Sequence, residues 1–259
     1  MKFLLGFFLM ITIAPWAAAQ STFDPRNVAT GVRGQQANCP NQQTYLWVTV
    51  RGKGDCIRYF SSGLHSANPT VSVYFHGDWM TQRYDSNKRV FSNYSKYNSA
   101  QKMTNQARSQ ARKAGFRGPF ILVSRPGVLG STGDHGDRRL GREGALMSAA
   151  LSALKARYRI SQFNLAGQSG GAHVTATVLT QRADVKCAIM SSGVLSVKLR
   201  NQMRGWDRDI TGHRNFVDPA RAVGKTKRSS ALRMIVIADP KDSNTLFETQ
   251  KDYADRGRA

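Results

Sequence analysis

Two spacings of apolar residues alternate along this chain. Short apolar runs mark strands: Tyr45-Leu46-Trp47-Val48-Thr49-Val50, Cys56-Ile57-Arg58-Tyr59-Phe60, Val71-Ser72-Val73-Tyr74-Phe75, Phe120-Ile121-Leu122-Val123-Ser124, Phe163-Asn164-Leu165-Ala166, 185–191 and Met234-Ile235-Val236-Ile237-Ala238. The runs at 120–124 and 234–238 are continuous enough to predict strands buried on both faces. Helical spacing fills the intervals. Ala100, Met103, Ala107 and Ala111 form one face of a helix over 99–114, which Ser99 can cap and Gly115 stops. Leu146, Ala149, Ala150, Ala153 and Leu154 fall at i, i+3, i+4, i+7 and i+8 and predict a helix over 143–158. A helix follows the strand at 163–166, and a last one is expected over 245–256. Residues 20–43 read as an extended arm and 193–228 as an irregular basic segment. An antiparallel hairpin leading into alternating strands and helices predicts an α/β fold. Its sheet is mostly parallel, with helices on both faces. No internal repeat and no second domain is visible.

The first nineteen residues stand apart. Lys2 precedes the apolar stretch Phe3–Ile13, and Ala17-Ala18-Ala19 supplies an A-x-A cleavage site. The run is short for a membrane anchor. Residues 1–19 are therefore expected to be a cleaved signal peptide and 20–259 the working domain, in a secreted or periplasmic location. In that oxidising setting Cys39 and Cys56 are expected to pair, leaving Cys187 free in an apolar strand with its side chain in the core.

The formal charge of +22 changes the picture less than its size suggests. Basic residues such as Arg108, Arg112, Arg138, Arg139, Arg142, Lys198, Arg200 and Arg204 are spread along the chain and form no long run. No ladder of aromatic residues is interleaved for base stacking. The expected outcome is a solvated basic surface with weak attraction to anionic surfaces and no specific nucleic-acid binding. The five histidines lie far apart, so no metal site and no cofactor is expected.

The candidate chemistry lies at Gly167-Gln168-Ser169-Gly170-Gly171. The bare pattern G-x-S-x-G is common. Here it sits between a strand and the helical stretch Ala172–Leu179, the context of a nucleophile elbow. A serine needs a base to take its proton and a third group to orient that base. Acyl transfer also needs N–H groups aimed at the developing oxyanion. Gly170 N–H is one candidate and Asp78 N–H, in the turn after His76-Gly77, the other. The acid is expected on the loop after strand 234–238, with Asp242 first and Asp239 as alternate.

Taken together these pieces resemble the α/β-hydrolase fold, in texture the exported serine esterases and prolyl-oligopeptidase-like peptidases. The matching stretches are Tyr74-Phe75-His76-Gly77, the elbow, Val236 through Asp242, Ser124-Arg125-Pro126-Gly127 and Gly130-Ser131-Thr132-Gly133. The resemblance implies a small-molecule ester or peptide substrate and an acyl-enzyme on Ser169. It also implies a catalytic histidine after the acid, beyond another helix and usually a last strand. Seventeen residues follow Asp242 and none is histidine. The expectation is that the sequence is truncated; the competing account is a base that has moved or been lost, leaving a silent binding protein of the cell envelope. Of the histidines present, His76 belongs to the oxyanion turn, His173 follows Ser169 by one helical turn, and His213 lies in the 193–228 segment. His135, between Asp134 and Asp137 in a Gly-rich loop, is the alternate base because that loop could reach over the site. Trp79, beside the oxyanion turn, and Trp206, within 193–228, are candidates for the pocket wall, and arginines of that segment for holding a carboxylate or phosphate.

Overall fold

A computed structural model describes residues 23–40, 44–81, 89–113, 115 and 118–258. The proposed signal peptide lies outside these residues. The chain order is α1 (Arg26–Thr30), β1 (Tyr45–Val50), β2 (Lys53–Ser62), β3 (Asn68–Phe75), β4 (Met80–Thr81), β5 (Arg89–Val90), α2 (Ala100–Lys113), β6 (Phe120–Val123), α3 (Gly141–Arg157), β7 (Ile160–Gln168), α4 (Gly170–Leu179), β8 (Val185–Ser191), α5 (Val197–Arg204), α6 (Pro219–Ala222), β9 (Arg233–Ile237) and α7 (Phe247–Arg258). Seven strands form one sheet in the order β1-β2-β6-β3-β7-β8-β9, and β4 pairs with β5 in a small ribbon. β1–β2 and β2–β6 are antiparallel; every later pairing in the large sheet is parallel.

Side chains alternate across this sheet, as the period of two requires. Ile57, Tyr59, Val71, Val73, Phe75, Ile121 and Val123 face the cluster completed by Leu146, Leu151 and Leu154 of α3 and Val174 and Val178 of α4. Phe60, Phe120 and Leu122 point the other way, onto Met103, Ala107 and Ala111 of α2. Both faces are thus covered, as the pattern predicts. α7 docks through Tyr253 onto Ala172, Met190 and Leu195.

Four expectations are corrected. The 20–43 arm is not simply extended: it carries α1, and Phe23 and Val28 are buried against Phe60 and Leu129. The 193–228 segment is not irregular throughout, because it contains α5 and α6. β9 is not buried on both faces. It pairs only with β8 among the described residues, and Ile235 and Ile237 are 44% and 53% exposed. Cys187 is free, but it is half-buried instead of sitting in the core. The expected bond between Cys39 and Cys56 is present. It ties the arm to β2, and Val32 exchanges backbone hydrogen bonds of 2.8 and 2.7 Å with Gly133.

Candidate active site

Ser169 sits where β7 ends and α4 begins, with φ 55° and ψ −118°. That backbone is costly for a residue with a Cβ and persists only where its surroundings impose it. Here the neighbours do so. Ser169 N–H donates to Ser191 O at the end of β8 (3.0 Å), and Ser169 O accepts from Ala172 and Val194 (3.1 and 3.3 Å). A Cβ on Gly171 would stand 2.0 Å from Phe75 O, and one on Gly167 2.2 Å from Gly171 O. Backbone therefore crosses backbone at both flanks of the serine, which explains the small residues there. The helix start leaves the Gly170 N–H without an i−4 carbonyl of its own helix.

The turn after β3 closes on this point. An added Cβ on Gly77 would lie 3.4 Å from Ser169 Cβ, and one on Gly170 1.9 Å from Asp78 Oδ1. Ser169, Gly170 and Asp78, expected together from the sequence, are thus neighbours. Ser169 and Asp78 share the wall of a cavity of about 510 Å³ with Gly77, Gln168, Arg139, Arg200 and Asn244.

Asp78 has a second role that the sequence did not indicate. Its carboxylate accepts from Arg125 Nη1 (2.9 Å) and Arg139 Nη2 (2.7 Å) and pairs with Arg138 Nε (3.1 Å). Arg125 also pairs with Glu143 (2.7 Å) and Arg139 with Asp209 (2.5 Å). All three arginines, Glu143 and Asp209 are buried. Burial alone would raise the Asp78 pKa, but the charges of Arg139, Arg138 and Arg125 outweigh it and hold the carboxyl well below the usual range. Burial likewise pushes Asp209 up, and Arg139 and hydrogen bonds from Thr211 bring it down to about 2. The expectation of a solvated surface fails for Arg138, Arg139 and Arg200, because each is buried against this cluster or the cavity.

On the loop after β9, Asp242 Oδ1 accepts from the N–H groups of Asn244 (2.8 Å) and Thr245 (2.9 Å), and Oδ2 from Thr245 Oγ1 (2.5 Å). Partial burial raises its pKa, and the bonds from Thr245, Asn244 and Ser192 lower it further than burial lifts it. Asp239 is exposed and accepts from Lys241 N–H (2.9 Å), a turn-capping contact around Pro240.

Compared with solved structures, the chain is similar to the acylaminoacyl peptidase of Pyrococcus horikoshii, with a TM-score of 0.54 at 13% identity over 83% of this chain and 34% of that one. It is also similar to Est1E of Butyrivibrio proteoclasticus, with a TM-score of 0.53 at 11% identity over 83% of this chain and 86% of that one. A putative aryl esterase of Burkholderia cenocepacia gives 0.50 at 14% identity over 82% and 87%. The chain has the α/β-hydrolase fold. It spans about a third of the length of the peptidase. No family model matches the sequence, and no curated protein does.

Within this α/β-hydrolase fold the five histidines are engaged elsewhere or exposed. Among the described residues none is hydrogen-bonded to Ser169. His76 Nδ1 lies 2.7 Å from both Trp79 Nε1 and Gly77 O, and its Nε2 accepts from Arg125 N–H (3.2 Å). Burial, reinforced by Arg125, pushes its pKa down to about 3. His135 is not in the wall of the cavity that Ser169 lines. Its ring is fully buried beside the arginine cluster, Nε2 accepts from Trp79 N–H (3.2 Å), and burial with Arg125 and Arg138 holds it well below the usual imidazole range. His173 Nε2 donates to Val217 O (2.9 Å), and His213 Nε2 donates to Gly136 O (3.0 Å). His65 is exposed. Trp79 is core: it packs edge-on against Tyr94 and Tyr97 and lies 7% exposed.

The sequence pattern gave no sign of Glu143 or Asp209, brought in Arg125 only as part of a matching stretch, and offered Arg200 only as one of several arginines of 193–228 that could hold a carboxylate or phosphate. One signal was available for Arg200. Val197, Arg200 and Asn201, the buried residues of α5, fall at i, i+3 and i+4, the spacing of an inward face.

Proposed function

We propose that this chain is an exported serine hydrolase that cleaves an ester, or secondarily a peptide or amide bond, through an acyl-enzyme on Ser169. The observation that carries this reading is the backbone of Ser169, held at φ 55° between β7 and α4 beside Gly170 and Asp78. A strained serine turn has little structural use, and strain of this kind gathers at reactive sites. The names of the structural neighbours, esterases and a peptidase, point the same way. Export is supported by the leader-like residues 1–19 and by the Cys39–Cys56 bond.

In this mechanism Ser169 Oγ attacks the carbonyl carbon while a base takes its proton. The N–H groups of Gly170 and Asp78 hold the oxyanion. Collapse expels the alcohol or amine, which receives that proton, and water then releases the acid from Ser169. Asp242 orients the base, and among the described residues none of the five histidines is hydrogen-bonded to Ser169. A fluorophosphonate probe should label Ser169 and leave Ser169→Ala unlabelled; equal labelling of both removes the proposal. With no histidine bonded to Ser169 among the described residues, ester turnover by residues 20–259 should sit near background, because a triad without its base is slower by orders of magnitude.

A second reading is a catalytically silent binding protein on the same fold. One observation favours it: among the described residues no histidine is bonded to Ser169. Absence of probe labelling at Ser169 in the folded protein would favour it.

A further inference from the structure

Four guanidiniums, of Arg125, Arg138, Arg139 and Arg200, gather beneath and beside the serine cavity, against three carboxylates, of Asp78, Glu143 and Asp209. Arg125, Arg138 and Arg139 each meet a carboxylate, and Arg200 forms an ion pair with none among the described residues. Its side chain is enclosed, at 3% exposure. Among the described residues Nε and Nη1 have no hydrogen-bond partner, and Nη2 donates to Asn244 Oδ1 at 3.4 Å. The guanidinium carbon lies 5.4 Å from the centre of the Trp206 ring, a contact that holds it without neutralising it. Arg200 and Asn244 both line the cavity that holds Ser169. Burial and the nearby Arg139 disfavour its charge and lower its pKa to about 10, so it still carries that charge at neutral pH.

A buried, unpaired guanidinium in the wall of a cavity is an anion site awaiting its ligand. We propose that Arg200 binds a carboxylate carried by the substrate, so that the bond cleaved at Ser169 belongs to a monoanionic ester or amide. The excess in the cluster is one positive charge, which a carboxylate balances and a phosphate dianion overshoots. The Arg200 donors and Asn244 supply its contacts, with Trp206 backing the guanidinium. This assignment rests on the hydrolase reading for the reaction, but the binding step is separable from it.

The test is therefore made without turnover, on the Ser169→Ala chain. Monomethyl succinate, dimethyl succinate and methyl phosphate are titrated at pH 8 by calorimetry and by tryptophan fluorescence. The monoanion should bind about tenfold or more tightly than the neutral diester, and more tightly than methyl phosphate. That preference should collapse in Arg200→Met and survive in part in Arg200→Lys. Equal binding of monoanion and diester, no saturable binding of the monoanion, a preference intact in Arg200→Met, or tighter binding of methyl phosphate would each overturn the proposal. The comparison of ligands on the Arg200 protein decides the matter even if the methionine variant does not fold. Probe labelling of Ser169 without this preference sinks the carboxylate site alone; the preference without labelling sinks the acyl-enzyme alone.

Discussion

Replacing Asp78 with asparagine removes one negative charge and leaves the side-chain shape intact. The structure indicates how much that charge contributes. Asp78 is the shared acceptor of Arg125, Arg138 and Arg139 at 2.9, 3.1 and 2.7 Å. After the substitution Arg125 keeps Glu143 and Arg139 keeps Asp209, but among the described residues Arg138 keeps only the carbonyls of His135 and Met80, both at 3.0 Å. Breaking a buried pair by removing one partner typically costs about 3–5 kcal/mol, because an uncompensated charge stays behind. For a chain of this size each kcal/mol moves the melting point by roughly 2–4 °C, so Asp78→Asn should melt about 6–20 °C lower at pH 7. Circular dichroism melts with matched urea titrations measure it. Arg200→Met should move stability little or upward, since it removes the unpaired charge, and combined with Asp78→Asn it should recover part of the loss. A loss under about 1 kcal/mol for Asp78→Asn, or additive losses in the pair, would refute the charge balance argued for this cluster.

Acid should weaken the fold before the carboxylates titrate. His76 is neutral in the folded state down to about pH 3, held there by burial and Arg125, while the unfolded ring takes a proton near pH 6.5. Between those values the unfolded chain binds more protons, so stability falls as pH drops, by about 1.4 kcal/mol per unit for this ring. His135 adds a loss of the same sign; a urea midpoint at pH 5.5 equal to that at pH 7.5 would contradict both. Gly171→Ala should disrupt the elbow, because its Cβ would meet Phe75 O at 2.0 Å. A variant that melts within 2 °C of wild type, a shift of under about 1 kcal/mol, would show that β3 yields there.

The sheet, its covering helices and the elbow were legible because each is local. Period two at 71–75, helical spacing at 146–154 and glycines around Ser169 lie within a few residues of one another. What escaped is non-local. Asp78 meets Arg139 across 61 positions, and Arg139 meets Asp209 across 70. In a chain rich in basic residues, nothing in composition separates a buried arginine from a solvated one. β9 shows the same limit. Met234–Ile237 is apolar at every position, which gives a strand but not which of its faces is covered. The neighbouring strand is a property of topology, and β9 stands at one end of the sheet order. For Arg200 the spacing on α5 was present but was outweighed by the polarity of Lys198, Arg200 and Arg204 in one stretch.

The order of the three cysteines along the chain bears on how they meet. Cys39 and Cys56 are separated by 17 residues, and Cys187 comes far behind both. A chain that emerges N-terminus first presents its native pair before the third thiol has been made. The partner that would compete for either sulfur is absent during the interval when the choice is open. By the time Cys187 arrives, β2 can already hold Cys56 in its ladder with β1, and the late thiol meets a formed disulfide whose Cys56 sulfur is buried. Correct pairing is thus a matter of timing as much as of distance.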